Sequence, residues 1–347
     1  MAKAKEIEGL DCGAGGALGI RLVLLTRLEE MCEYRAASLG PSGEEGVHDM
    51  RVASRRLRSV LRDFRPYMRA GRRLDAAREE LKRLACVLGA VRDEDVAIRA
   101  LDELKGEAPE AVAAGLELFA DDRAARREGA RVELARALEE ESFGAVRSRV
   151  AFAFEKATAP RRGKRGEGDG VNEGGPGAWG EGGPSFRDVG RQVIARSWDD
   201  LSSRGPEIYR PLKSRRLHKL RIAAKRLRYA LELFAPCYGE ALRELARELA
   251  QLQTALGQLH DCDAWLEEFG QYLSARKGLE DSCRADAEEL TARRREAAFR
   301  LLEHFAAKRA GHYVEALEIW RGWERNDFGS RLADGLGAWT FEKSRGR

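Results

Sequence analysis

The sequence predicts an all-α, internally duplicated fold, and three observations carry that expectation. Apolar residues recur at helical spacing along most of the chain while strand-like alternation is nearly absent. Ala, Leu, Arg and Glu dominate, with few prolines inside the periodic segments. One stretch occurs twice: VHDMRVASRRLRSVLRDFRP from Val47 returns as LHKLRIAAKRLRYALELFAP from Leu217, a shift of 170 residues. In that register His48 meets His218, Arg51 meets Arg221, Arg56 and Arg58 meet Arg226 and Arg228, and Phe64 and Pro66 meet Phe234 and Pro236.

The elements follow in order. Leu22, Leu25, Leu28 and Met31 mark a first helix, and the Val47 segment a second. On a helical wheel His48, Arg51, Arg55, Arg58 and Arg62 fall within an arc of about 80°. Met50, Ala53, Leu57, Val60, Leu61 and Phe64 take the other side, so this helix has a dry edge and a cationic edge. Further helices are expected over Leu74–Leu104, Leu116–Arg127 and Val132–Phe154, joined by short turns such as Gly40-Pro41-Ser42-Gly43, as in antiparallel bundles. The run from Pro160 to Pro184 has ten glycines and no periodicity, so residues 159–185 are expected to be a flexible linker between a first repeat at 15–158 and a second at 186–310. In the second repeat His218, Arg221, Lys225 and Arg228 stay in register against Leu220, Ala223, Leu227, Leu231 and Phe234, but Glu232 replaces the counterpart of Arg62. Residues 311–347 are expected to form a helical tail carrying Trp320 and Trp339, a candidate partner surface.

A second motif pair follows each basic helix: LGAVRDEDV from Leu88 and LGQLHDCDA from Leu256. The glycine allows close approach of another element, and the Asp93-Asp95 and Asp261-Asp263 pairs can accept hydrogen bonds from arginines, which assigns them a scaffold role.

Charge is segregated rather than large. The net charge is only +4 in a chain that is 35% charged, yet nine arginines and two aspartates lie between Val47 and Arg73, and eight basic residues with no acidic one between Lys213 and Arg228. Such edges imply an anionic partner. Six scattered cysteines without a CxxC pair point to reduced thiols. The absence of an apolar signal core or of about 18 consecutive apolar residues predicts a cytoplasmic protein without a membrane partner.

The paired HxxRVxxRRLR and HxxRIxxKRLR helices and the LGxVRDxDV element resemble the conserved histidine α-helical domain (CHAD) family, over about Arg21 to His304. The resemblance implies two four-helix bundles related by a pseudo-two-fold axis, with a basic surface that binds inorganic polyphosphate and no catalysis. The positions it carries over are His48, Arg51, Arg55, Arg56, Arg58, His218, Arg221, Lys225, Arg226 and Arg228; Arg62 joins them by wheel geometry alone. His260, where the first copy has Arg92, departs from the pattern. Polyphosphate-metabolising enzymes or granule proteins are the further partners implied, with the protein at polyphosphate granules. No cofactor and no resident metal is expected.

Two other functions bear on the same residues. His48-Asp49 and His260-Asp261 are HD dipeptides, as in metal-dependent phosphohydrolases, so hydrolysis of polyphosphate or triphosphate is one alternative; it needs more converging ligands than His304 and His312 supply. General nucleic-acid binding is the other. Only 7% of the chain is aromatic, with Tyr67 and Tyr229 alone near the ladders, and the basic arcs carry no Asn or Gln to read base edges, so nucleic acid is the less favoured polyanion.

Overall fold

A computed structural model describes residues 4–40, 43–159, 183–275 and 285–337. It is all-α: among the described residues the only β pairing is an isolated bridge between Gly15 and Ser185. The linker expected at 159–185 falls almost wholly outside the described residues, as do Trp339 and Cys283.

The helices in chain order are α1 (Gly16–Glu33), α2 (Arg35–Leu39), α3 (Gly43–Asp63), α4 (Arg72–Glu107), α5 (Glu110–Ala137), α6 (Glu140–Ala157), α7 (Phe186–Arg204), α8 (Ser214–Tyr238), α9 (Glu240–Ala275), α10 (Ala285–Arg325) and α11 (Phe328–Gly335). Short 3-10 turns follow α3 and α7. α10 runs unbroken through residue 310, where the tail was expected to begin.

The chain forms two compact units. The first comprises residues 1–95 and 127–193, the second 96–126 and 194–347. In the first, α3 packs on α1 and α2, and α1 on α6. The five apolar-edge residues of α3 from Met50 to Leu61 are buried, as is Phe64 just past its end, which meets the Phe186 ring edge-on at 6.2 Å. Glu44 and Glu45 sit in the first turn of α3 and Arg62 in its last, each favourable to the helix dipole. Ser185 and Asp188 cap α7 reciprocally: the Ser185 backbone N–H donates to Asp188 Oδ2 at 3.2 Å, and the Asp188 N–H to Ser185 Oγ at 3.1 Å.

In the second unit α8 and α10 pack along α9. Leu220, Ala223, Leu227, Leu231 and Phe234 of α8 are fully buried. Pro236 lies inside α8, whereas its counterpart Pro66 follows the end of α3, so the second basic helix is the longer. Gly239 stops it with φ +94°, a backbone state that costs a side-chain-bearing residue energy. Farther along, Trp265 stacks on Phe269 and Phe305 at 5.4 and 5.1 Å, closing a core with Leu101, Leu116 and Phe119.

Two expectations change. Trp320 and Trp323 are each 7% exposed, tilted against one another at 5.6 Å, and Trp323 packs on Phe328 at 4.5 Å; Trp320 is interior, not a partner surface. Cys32, Cys86 and Cys262 are free thiols, but Cys12 and Cys237 are each engaged in a disulfide. A disulfide needs two Cβ atoms within about 4 Å, a matter of tertiary approach that spacing along the chain does not reveal. The cysteines therefore carry no argument for a reducing compartment.

Phe186→Ala, which empties the space beside Phe64, is expected to lower unfolding free energy by about 3–5 kcal/mol in denaturant titration, while leaving far-ultraviolet helicity intact at low temperature.

Candidate anion-binding faces

Burial of its apolar edge turns the other edge of α3 outward. His48, Arg51, Arg55 and Arg62 are partly exposed there and Arg58 is exposed. His218, Arg221, Lys225, Arg226 and Arg228 of α8 are all partly exposed. The predicted residues are not equivalent once their partners are known.

Arg51 lies across α4. Its Nη2 is 3.1 Å from the Asp93 carboxylate, and a Cβ on Gly89 would stand 3.9 Å from its Nε and Nη2. Arg221 repeats this on α9, where a Cβ on Gly257 would stand 3.7 Å from the same atoms. In both copies the guanidinium thus lies beside the glycine of the Leu-Gly element, at a distance where a Cβ would make ordinary contact. Among the described residues Arg55 and Arg58 make no ion pair, so their charge is turned to solvent.

Arg56 and Arg226 are engaged elsewhere. Arg56 Nη1 donates to Glu30 at 2.9 Å, and Glu30, with a side chain only 2% exposed, is also held by Arg27. Arg226 Nη1 donates to Asp200 at 3.3 Å, and Asp200 is held by Arg204 of its own helix. Glu30 and Asp200 stand at the same shift of 170 residues as the basic helices. These arginines fasten α3 to α1 and α8 to α7. Arg62 folds back on Asp63 at 2.7 Å. Arg228 reaches Glu232 at 3.3 Å and covers the Tyr229 ring at 5.0 Å. Glu232 therefore shortens the second ladder twice, by replacing a cation and by occupying another.

The second aspartates of the Asp-x-Asp elements are occupied as well. Asp95, buried, takes Arg127 of α5; Asp263 takes Arg309 of α10 at 2.6 Å. Sequence reasoning assigned these aspartates to arginines but not to which ones, because Arg127 and Arg309 lie outside the repeated segments. Among the described residues no group of three or more His, Cys, Asp or Glu side chains is placed to hold a metal ion.

Arg92, paired with Glu44 at 3.0 Å, occupies in the first copy the place His260 has in the second. Burial holds the His48 imidazole below the ordinary histidine value, and Arg92 and Arg55 push it the same way against the opposing pull of Asp49. His218 is held down by burial first, then by His260, Arg221 and Lys225. The His218 and His260 rings stand 4.2 Å apart.

The CHAD domain family model matches residues 23–270. The chain belongs to the CHAD domain family. Its fold is similar to the crystal structure of the CHAD domain from the plant Ricinus communis, at TM-score 0.65 and 21% identity over 96% of each chain. It is also similar to PptA from Streptomyces chartreusis, at TM-score 0.60 and 14% identity over 89% of this chain and all of that one. No curated protein matches. Among the described residues of this CHAD protein no helix is long and apolar enough to cross a membrane.

Arg56→Ala strands the buried Glu30 carboxylate with one partner fewer and is expected to cost about 2 kcal/mol or more in chemical unfolding, whereas Arg55→Ala changes stability by less than about 0.5 kcal/mol. Gly257→Leu is expected to displace Arg221 without unfolding α9, seen as a changed Arg221 Nε–H resonance in a chain of unchanged helicity.

Proposed function

We propose that this CHAD protein binds inorganic polyphosphate on the basic edges of α3 and α8 and holds it without cleaving it. The observation that carries this reading is the recurrence of one arrangement: an arginine laid over a helical glycine, Arg51 at Gly89 and Arg221 at Gly257, with a histidine one turn before it and a cation one turn after. A linear polyanion with about one charge per phosphate is matched by a row of cations, and the planar guanidinium fork fits phosphate oxygens. Arg51, Arg55 and Arg58 form the row on α3; Arg221 and Lys225 form the shorter row on α8. The role would be attachment to stored polyphosphate, or bringing a polyphosphate-metabolising enzyme or a granule protein to it.

What surrounds the rows supports polyphosphate over other polyanions. Tyr229 is buried and covered by Arg228, so it offers no ring for a base to stack on. Three carboxylates of the Asp-x-Asp elements, Asp93, Asp95 and Asp263, are tied to Arg51, Arg127 and Arg309.

The test is titration calorimetry with long-chain polyphosphate and with single-stranded DNA at moderate salt. Wild type is expected to prefer polyphosphate, and Arg51→Ala with Arg221→Ala to weaken that binding by more than about tenfold, since each charge-assisted contact contributes about 1.5–3 kcal/mol. Equal affinity for both polymers, or no loss on substitution, would contradict the reading. Affinity should also fall steeply with salt, log Kd changing by about 0.7–0.9 per phosphate neutralised for each decade of salt, by analogy with nucleic acids.

A further inference from the structure

The two faces differ at one position that bears on chemistry. On α3 and α4, His48 has the permanently charged Arg92 near it. On α8 and α9, His218 has another histidine, His260, with ring centroids 4.2 Å apart and planes tilted by 47°. His218 Nδ1 is buried and has no hydrogen-bond partner among the described residues. Arg221 and Lys225 flank the pair from α8. Asp263 approaches His260 from within α9 but is neutralised by Arg309 of α10, which also donates to the Pro211 carbonyl at 2.7 Å. The pair thus has Arg221 and Lys225 beside it, with Asp261 next to His260 in sequence and Asp263 held by Arg309.

We propose that the α8–α9 face binds a phosphate group together with a proton, which His218 and His260 share, so that this face is acid-gated while the α3–α4 face relies on fixed arginine charge. The inference rests on the polyphosphate reading above and adds a regulation to it.

The sign follows from the charges. Without ligand, burial and then the neighbouring cations hold both imidazoles below the ordinary histidine value, so both are neutral at neutral pH. A phosphate set against Arg221 and Lys225 offsets the charge that opposes protonation, and raises the pair's affinity for a proton. The proton comes from solvent and is bound by one imidazole nitrogen; no other bond changes. A second proton is disfavoured, because two imidazolium rings at this separation repel. Linkage then requires that whatever the ligand does to proton affinity, the proton does to ligand affinity. Binding at α8 therefore tightens as pH falls, by at most about tenfold per pH unit for one proton. On the first face Arg92, paired with Glu44 at 3.0 Å, stands where the second imidazole would be, so His48 has no ring there to share a proton with.

The experiment is calorimetry of the full chain with long-chain polyphosphate at about pH 6.5, in buffers of different ionisation enthalpy, so that proton uptake on binding is read directly. Interior phosphates of such a polymer do not titrate in this range. Wild type is compared with His260→Arg, which recreates the first copy's arrangement, and with His260→Gln, which is uncharged; circular dichroism verifies that each is folded. The expected result is net proton uptake by wild type, reduced by half or more in both variants, with His260→Arg binding as tightly as wild type or tighter at higher pH. Binding without proton uptake, or uptake that both variants retain, would overturn the inference and leave the polyphosphate reading standing. No binding of polyphosphate by wild type at any pH would remove both.

Discussion

Everything on the two basic faces depends on burial of the opposite edge of the same helices. Met50, Ala53 and Leu57 of α3 with Phe64 just beyond it, and Leu220, Ala223, Leu227, Leu231 and Phe234 of α8, are inaccessible to solvent. Each large side chain removed from water contributes about 1.5–3 kcal/mol. Rotating either helix enough to hide its cations would expose several of these at once. The arginines are therefore presented outward by a constraint set on the other side of the helix, and their spacing of one turn follows from helical geometry.

That constraint does not decide what each arginine does; the neighbouring helices do. α1 and α7 bring Glu30 and Asp200 to Arg56 and Arg226, and convert two members of the ladders into fasteners. α4 and α9 bring glycines and leave Arg51 and Arg221 laid flat at the surface. The result is a division of labour within one motif. Arg56 and Arg226 hold their helices through ion pairs, buried at Glu30 and half-exposed at Asp200, while the other arginines are those the proposed binding of a polyanion would use.

The helical class, the dry and cationic edges of α3 and α8, and the scaffold role of the Asp-x-Asp elements were legible in the sequence, because each is a matter of local period or residue chemistry. The partition of the arginines was not. Arg55 and Arg56 are neighbours in a basic run and equally half-buried, and only the tertiary position of Glu30 separates the one held in an ion pair from the other. The same limit hid the disulfide state of Cys12 and Cys237, the interior place of Trp320, and the contact of His218 with His260. His260 was visible as a departure from the repeat, but a departure acquires meaning only when the ring it meets is known. Pro236 is a further case: the repeat aligned it with Pro66, yet α8 continues through it while α3 stops before its counterpart.

The most direct test of this account is to follow the arginine Nε–H resonances individually as polyphosphate is added. Arg51, Arg55, Arg58 and Arg221 are expected to shift, and Arg56 and Arg226, already held by Glu30 and Asp200, to remain where they are. Shifts at Arg56 and Arg226 with none at Arg51 and Arg221, or no shift at any of them under conditions where the polymer binds, would place the ligand elsewhere and contradict it.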